Sequence, residues 1–204
     1  PFLFFLFYEM NLPQWSGLTE WQKFWAAFFQ SITPRTAGFN TIDLTMISEP
    51  SLMVMIALML IGGSPGSTAG GFKTTSLAAL FLSVRSTLRR RTGVQAFGRR
   101  LEDSALSQAT VLIFAYVVAF LLGGLAISIL DGVPMMSALF ETASAVGTVG
   151  LSLSLTPTLS LPSHLILIFL MYFGRVGGLT MIYAVAHTSR SSPARMPQER
   201  MTIG

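Results

Sequence analysis

Apolar residues along this chain fall into long runs separated by polar, glycine-rich stretches. Residues 108–130 and 161–187 are almost wholly apolar, and 1–8 reads as the end of a further run. Residues 49–82 would form one more run if glycines did not break it. Because a membrane helix needs about 20 apolar residues, this pattern predicts several membrane-spanning helices.

Two apolar stretches, 23–32 and 135–145, are too short to cross a bilayer. Each is followed by a stretch rich in glycine and hydroxyl residues, TPRTAGFNTIDL at 33–44 and VGTVGLSLSLTP at 146–157. Neither stretch fits the interior of a regular helix. The sequence therefore predicts, twice, a short re-entrant helix that leads into an extended segment.

The composition identifies the class of protein. Hydrophobic residues make up 51% of the chain and charged residues 11%, with a mean hydropathy of +0.62, whereas soluble domains carry about 25% charge. We therefore expect an integral membrane protein. With no Cys, disulfides and Cys-ligated metals are excluded. The chain starts at Pro1 inside an apolar run, so we expect a cut or missing N-terminal portion.

Arginines concentrate in two segments, 83–107 and the tail 188–204. The positive-inside rule places both on the cytoplasmic side of a membrane that the chain crosses several times. These arginines could form docking surfaces, particularly at 85–100. They could also serve only topology and attraction to anionic lipid.

An internal repeat appears when the chain is shifted by 112 residues. The shift places Phe28 on Phe140, Thr36 on Thr148, Gly38 on Gly150 and Gly62 on Gly174. Both arginine-rich segments follow the second span of a unit, so the units have the same orientation. The alternative is chance similarity between two apolar sequences.

The predicted fold class is thus an all-α integral membrane protein with two parallel helix–pore-loop–helix repeats. The expected divisions are a repeat at 1–82 with a truncated first helix, a cytoplasmic loop at 83–107, a repeat at 108–187 and a cytoplasmic tail at 188–204.

The extended segments suit cation coordination. A short helix that stops midway points its carbonyl dipoles at the bilayer centre, and stacked carbonyls can replace the hydration shell of K⁺. We call the two candidates the first glycine segment, residues 36–40, and the second glycine segment, residues 147–151, with K⁺ expected near Gly38 and Gly150. Their residues are Thr36, Ala37, Gly38, Phe39, Asn40, Gly147, Thr148, Val149, Gly150 and Leu151. The alternative is a pair of surface turns.

No ring of acidic residues accompanies the glycine segments, because the shift pairs Glu141 with Phe29 and Asp43 with Leu155. This favours a monovalent cation. We expect Arg35 to brace the first segment from behind and Glu141 to accept hydrogen bonds near the second. Either could instead be an ordinary interfacial charge.

Four motifs, TPRTAGFNTID, IGGSPGSTAGGFKTT, SAVGTVGLSLSLTP and FGRVGGLT, occur in this order. They resemble motifs of the Trk/Ktr/HKT superfamily of potassium transporters, and the similarity is greatest to the KtrB-type translocating subunits. FGRRL and the terminal RMPQERMTIG extend the resemblance over nearly the whole chain. Family members carry four repeats around one potassium-channel-like pore, so the resemblance implies two repeats of a four-repeat pore: the C-terminal half, repeats three and four, with an N-terminal half of the pore missing.

The resemblance also implies a gate. In the family a glycine-rich intramembrane loop lies beneath the selectivity filter, to which the two glycine segments correspond here. An arginine in the last helix of family members projects toward the pore near this loop. Here the Gly-rich loop is 62–71, and Arg175 could hold it shut by hydrogen bonds to its carbonyls. Lys73 is a second barrier or a snorkelling charge. The implied gate residues are Gly62, Gly63, Ser64, Pro65, Gly66, Ser67, Thr68, Ala69, Gly70, Gly71, Lys73 and Arg175.

The resemblance implies potassium uptake across a bacterial plasma (inner) membrane, with K⁺ as substrate, no covalent cofactor, and Na⁺ as a candidate activating or coupling ion. The implied partners are a second copy in a homodimer, the lipid bilayer, and a cytoplasmic ring of nucleotide-binding, KtrA/TrkA-like regulatory subunits. No nucleic-acid partner is expected.

Other functions are weaker. GSTAGGFKTT misses the phosphate-binding loop pattern by one residue, because Phe72 separates Gly71 from Lys73. No nucleophile with a base, and no histidine-rich set, suggests an enzyme. A secondary transporter that alternates access at broken helices, and an assembly subunit without its own pathway, stay open at this level.

Overall fold

The computed structural model describes residues 1–90, 93–96 and 99–177 of the 204-residue chain. These residues form an almost wholly helical fold, as predicted. The helices are α1 (Phe2–Phe7), α2 (Glu20–Ile32), α3 (Glu49–Leu60), α4 (Thr74–Leu88), α5 (Asp103–Asp131), α6 (Met135–Val146) and α7 (Leu161–Val176). Two antiparallel two-residue strands, β1 (Gln95–Ala96) and β2 (Arg99–Arg100), lie between α4 and α5.

Helix α5 is the one helix in the described ranges that is long and apolar enough to cross a membrane. Its apolar part, Ser104–Asp131, has 28 residues, or about 42 Å at 1.5 Å per residue, against about 30 Å of bilayer hydrocarbon. Shorter apolar helices occur at Phe2–Asn11, Glu49–Leu60 and Leu161–Val176. The predicted span 161–187 lies partly outside the described residues.

The two short helices begin and end close to the predicted positions. Helix α2 starts at a capping box formed by Thr19 and Gln22, and α6 starts directly after Pro134. With 12 residues, α6 is about 18 Å long, roughly half of what a crossing requires. Local signals that begin and end helices therefore set these elements.

The two short helices differ in how they are covered. Helix α6 packs against α5 and α7 of its own unit and against α3 of the preceding unit, and eight of its 12 residues are buried. Helix α2 packs mainly against α1, and three of its 13 residues are buried. One face of α2 therefore stays exposed, with aromatic side chains at Trp21, Trp25 and Phe28.

Each unit carries an acidic residue that holds the start of the helix that follows its glycine segment. Glu9, fully buried, accepts hydrogen bonds from Trp15 Nε1 (3.0 Å) and from Ser48 N (3.2 Å) and Oγ (2.6 Å). In the later unit Asp131 Oδ1 accepts from Ser160 N at 3.1 Å. Ser48 and Ser160 are the N-cap residues of α3 and α7, and the 112-residue shift maps one on the other. The acids thus fix equivalent points, where the chain returns from the glycine segments.

Helical structure extends into the arginine-rich segment 83–107 at both ends. Helix α4 continues to Leu88 and α5 begins at Asp103. Leu and Arg are good helix formers, so a helix does not stop where its apolar run stops. The division at 83–107 stays a prediction about the membrane boundary, and the tail 188–204 lies outside the described residues.

Candidate functional site

The first glycine segment turns sharply out of α2. Thr36 has φ 66° and Gly38 has φ 74°, both in the left-handed region. The Thr33 hydroxyl donates a hydrogen bond to the carbonyl of Phe39 and so ties the segment back to the end of α2. Asn40 donates to the Ile42 carbonyl at 3.4 Å.

The second glycine segment repeats this backbone geometry. Thr148 has φ 52° and Gly150 has φ 88°, so the Thr and the Gly of each segment are left-handed at matching positions of the 112-residue shift. Ser144 anchors the turn, because its carbonyl accepts from Val149 N at 2.9 Å and its hydroxyl accepts from Gly150 N at 3.2 Å. Local hydrogen bonds to α6 therefore hold this segment in a non-helical shape.

The structure brings the two glycine segments together. A β-carbon added to Gly38 would lie 2.5 Å from the Val149 carbonyl oxygen, and one added to Gly150 would lie 3.9 Å from Gly38 Cα. Only glycine permits the first approach, since real β-carbons essentially never come within 3.0 Å of another atom in this way. Two stretches that are 112 residues apart in sequence thus share one site.

Glu141 accepts hydrogen bonds next to the second segment, as expected. It is nearly fully buried and accepts hydrogen bonds from Ser152 Oγ (2.6 Å), Leu153 N (3.1 Å) and Thr156 Oγ1 (2.8 Å). This carboxylate fixes the chain just after the glycine segment.

The charged residues near the first segment behave differently. The Arg35 side chain is exposed, and among the described residues the expected bracing contact is not seen. Asp43 accepts hydrogen bonds from the Thr45 hydroxyl (2.7 Å) and backbone N–H (3.0 Å). These bonds lower the pKa of the Asp43 carboxyl below its ordinary value.

The Gly-rich loop leaves and re-enters the fold through a narrow neck. The neck is closed by hydrogen bonds from Gly62 N to the Phe72 carbonyl (3.0 Å) and from Phe72 N to the Leu60 carbonyl (3.1 Å). Lys73 Nζ donates to the carbonyls of Ala69 (2.6 Å) and Ser67 (3.2 Å). Lys73 therefore links carbonyls within the loop, a role that differs from the two predicted for it, a barrier to cations and a snorkelling charge.

Arg175 reaches the same loop from α7. Its Nη1 atom donates to the Thr68 carbonyl oxygen at 2.5 Å. The expected hydrogen bond from Arg175 to a loop carbonyl is thus present in the structure.

The loop also contacts the second glycine segment directly, in keeping with the position beneath the filter that the resemblance implied, but through a specific bond that no motif predicted. Gly70 N donates to Thr148 Oγ1 at 3.0 Å, and a β-carbon on Gly70 would lie 2.6 Å from the same oxygen. Nothing in the local sequence around Gly70 or Thr148 indicates a contact between residues that are 78 positions apart. The 112-residue shift pairs Thr148 with Thr36 but does not predict which residue binds its hydroxyl.

The second glycine segment and Arg175 line one cavity of about 480 Å³, together with Glu141 and the α7 residues Leu167 and Met171. A second cavity of about 280 Å³ lies between the Gly-rich loop, α5 and the end of α7. The described residues contain no group of three or more His, Cys, Asp or Glu that could hold a metal ion. The chemistry that the site offers is backbone carbonyl and hydroxyl oxygen, which suits monovalent cations.

Comparison with known proteins gives matches to cation transport proteins. Residues 13–194 match the family model TrkH, described as a cation transport protein. The potassium/sodium uptake protein NtpJ of Enterococcus hirae is 36% identical over 209 residues, which cover 100% of this chain and 46% of that protein.

Two further relatives are Ktr system potassium uptake proteins B. The one from Bacillus subtilis is 36% identical over 182 residues, 89% of this chain and 41% of that protein. The one from Vibrio alginolyticus is 36% identical over 204 residues, 99% of this chain and 44% of that protein. The chain thus spans less than half the length of these relatives.

Among solved structures, the potassium transporter TrkH from Vibrio parahaemolyticus has a similar fold. The TM-score is 0.68 at 22% sequence identity, over 90% of this chain and 40% of that one. At this identity the likeness speaks for the fold alone.

Proposed function

This chain belongs to the TrkH family of cation transport proteins, and on that premise we propose that it forms part of a potassium uptake pathway across a membrane. Its relatives are transporters, and the chain is not an enzyme. The proximity of Gly38 and Gly150 carries the proposal, because it puts two carbonyl-rich turns with the same backbone geometry at one place.

The glycine segments act as the selectivity filter. Carbonyls of residues 36–40 and 147–151 replace water around K⁺ near Gly38 and Gly150. Left-handed backbone at four residues supports this role: Thr36, Gly38, Thr148 and Gly150. A residue in this conformation does not continue a helix, so nearby backbone carbonyls are not used in helical hydrogen bonds. Full coordination of the ion requires oxygens on its other sides as well.

Further helix–pore-loop–helix units complete the pathway. Helix α6 is covered by α3 of the preceding unit, whereas the aromatic face of α2 is exposed. An equivalent helix from another unit fits the uncovered face. The relatives are longer than this chain, which supports the proposal that such units lie in an N-terminal half of the pore.

The Gly-rich loop at 62–71 is the gate, and Arg175 and Lys73 hold it beneath the second glycine segment. Both side chains donate to loop carbonyls, which keeps a flexible stretch in one position. Their positive charges also oppose a cation that enters the pathway while the loop is in place. Displacement of the loop then opens the pathway.

The assembly we propose is a homodimer in a bacterial plasma membrane, crossing it several times, with a cytoplasmic ring of nucleotide-binding, KtrA/TrkA-like subunits. Relatives named as components of a Ktr system support partner subunits. The arginines at 85–100 are the proposed docking surface. Na⁺ is a proposed activating or coupling ion, because one relative is named a potassium/sodium uptake protein.

The test is rubidium uptake by the protein reconstituted in lipid vesicles together with the further units that complete its pathway. Gly38→Ser and Gly150→Ser are compared with Gly17→Ser, since Gly17 has open space around it. The proposal requires that the wild type and the control take up rubidium in preference to sodium and that both filter variants lose this preference. Equal selectivity in all four proteins contradicts it.

A further inference from the structure

Tyr116 of α5 lies between the Gly-rich loop and the end of α7. Its side chain is 1% exposed. Its hydroxyl donates to the Gly174 carbonyl at 3.3 Å, and its ring centroid lies 5.2 Å from Phe173 and 6.5 Å from Phe72. One buried side chain therefore contacts both the helix that carries Arg175 and the neck of the loop.

The contact with α7 falls where that helix ends. Helix α7 stops at Val176, and Gly177 has φ 89°, which is incompatible with a continuing helix. The last four carbonyls of a helix lack partners within it, and Gly174 supplies one of them. The Tyr116 hydroxyl satisfies this oxygen one residue before Arg175, and so fixes the backbone from which the arginine side chain extends.

The contact with the loop falls at its neck. Phe72 is nearly fully buried, and its backbone forms the two hydrogen bonds that close the neck, with Gly62 and Leu60. The Phe72 and Tyr116 rings meet edge to face, at an interplanar angle of 86°, an arrangement that aromatic pairs favour. A displaced loop neck would lose this contact.

We propose that Tyr116 is a positioning residue for the gate, and this inference rests on the proposed function of the loop. Tyr116 holds the end of α7 and the loop neck at the separation at which Arg175 reaches the Thr68 carbonyl. Because α5 is a continuous 29-residue helix, it provides a rigid mount for this side chain. Without the hydroxyl, the end of α7 gains freedom and the Arg175–Thr68 hydrogen bond forms less often.

The position of the loop can be measured apart from transport. The chain has no Cys, so Ala69→Cys places a single thiol on the partly buried part of the loop. Its reaction rate with a membrane-impermeant thiol reagent reports displacement of the loop. Tyr116→Phe removes the hydroxyl and keeps the ring. Tyr172→Phe, on the exposed face of α7, is the matched control.

The expected result is that Tyr116→Phe raises the labelling rate by about fivefold, the factor that corresponds to one typical hydrogen bond, whereas Tyr172→Phe leaves it unchanged. In an Arg175→Gln background, Tyr116→Phe adds little, since both changes remove the same link. The preference for rubidium over sodium stays at the wild-type value in Tyr116→Phe, which separates positioning of the loop from general loosening of the fold.

Equal labelling in Tyr116→Phe, Tyr172→Phe and the wild type overturns the proposal. So does an increase that is as large with Arg175→Gln as without it, because Tyr116 would then act independently of the arginine. The gate itself is judged by a different measurement, rubidium uptake by Arg175→Gln alone, so the two ideas fail separately.

Discussion

Arg175 Nη1 lies 2.5 Å from the carbonyl oxygen of Thr68, which is 107 residues earlier in the chain. The bond joins the end of α7 to the middle of the Gly-rich loop. Lys73, which follows the loop in sequence, makes similar bonds to loop carbonyls. Neither cation pairs with a carboxylate among the described residues. Backbone oxygens of the loop are therefore what these two charges recognise.

Replacing Arg175 by Gln is expected to raise rubidium uptake. The change removes a charged hydrogen bond to the loop and a positive charge near the pathway. Because Arg175 is exposed, we assign the bond about 1 kcal/mol, which is about fivefold in the population of displaced loop. Reconstituted vesicles give the measurement, and Lys23→Gln, on α2 and paired with Glu20 of the same helix, controls for charge. Uptake at or below the wild-type rate would argue against Arg175 as a residue that holds the loop in place.

Shortening the loop tests the gate without touching α7. Deletion of Gly66–Ala69 removes the carbonyls that Arg175 and Lys73 bind, so nothing holds the remaining loop in place. We expect faster rubidium uptake than in the wild type. Unchanged or slower uptake by a protein that still elutes as a folded species counts against the loop as a gate.

The two filter glycines differ in how they tolerate a methyl group. At Gly150 (φ 88°) an alanine methyl group makes only an ordinary van der Waals contact, 3.9 Å from Gly38 Cα, but it requires a left-handed backbone, which costs about 1–2 kcal/mol. At Gly38 (φ 74°) the same strain is joined by a 2.5 Å approach to the Val149 carbonyl. Gly38→Ala is therefore expected to lower thermal stability more than Gly150→Ala. Gly17→Ala is the control, and the reverse order would show that the segments do not meet as described.

Removing the charge of Glu141 should loosen the second glycine segment. Gln cannot reproduce three accepted hydrogen bonds, and the loss of a charged acceptor is worth about 1.5–3 kcal/mol. We expect Glu141→Gln to lower the melting temperature and the rubidium preference together. Glu49→Gln, an exposed carboxylate at the start of α3, should change both far less. Parallel melting curves and flux assays check this, and similar losses in both variants would refute it.

Much of the fold could be predicted because the signals are local. Stretches 23–32 and 135–145 correspond to helices at Glu20–Ile32 and Met135–Val146, since glycine, proline and capping residues mark helix ends. The repeat also anticipated matching positions. Thr36 and Thr148 share an uncommon left-handed backbone, as do Gly38 and Gly150.

The contacts between distant elements could not be predicted in the same way. The bond from Gly70 to Thr148 and the position of Tyr116 depend on how α3, α5 and α7 pack. A tyrosine within an apolar helix does not announce its partner. For charged residues, the sequence suggested contacts without geometry. The hydrogen bond from Arg175 to the loop, which the family resemblance implied, is present, whereas the expected contact of Arg35 is not seen.

The proposed function depends on one claim, that the carbonyls around Gly38 and Gly150 coordinate the transported cation together. The most direct test is the anomalous scattering of rubidium in crystals of the protein grown with rubidium chloride. We expect a peak between the two glycine segments, within coordinating distance of carbonyls from both. A well-ordered structure with rubidium bound elsewhere and none between these segments would contradict it.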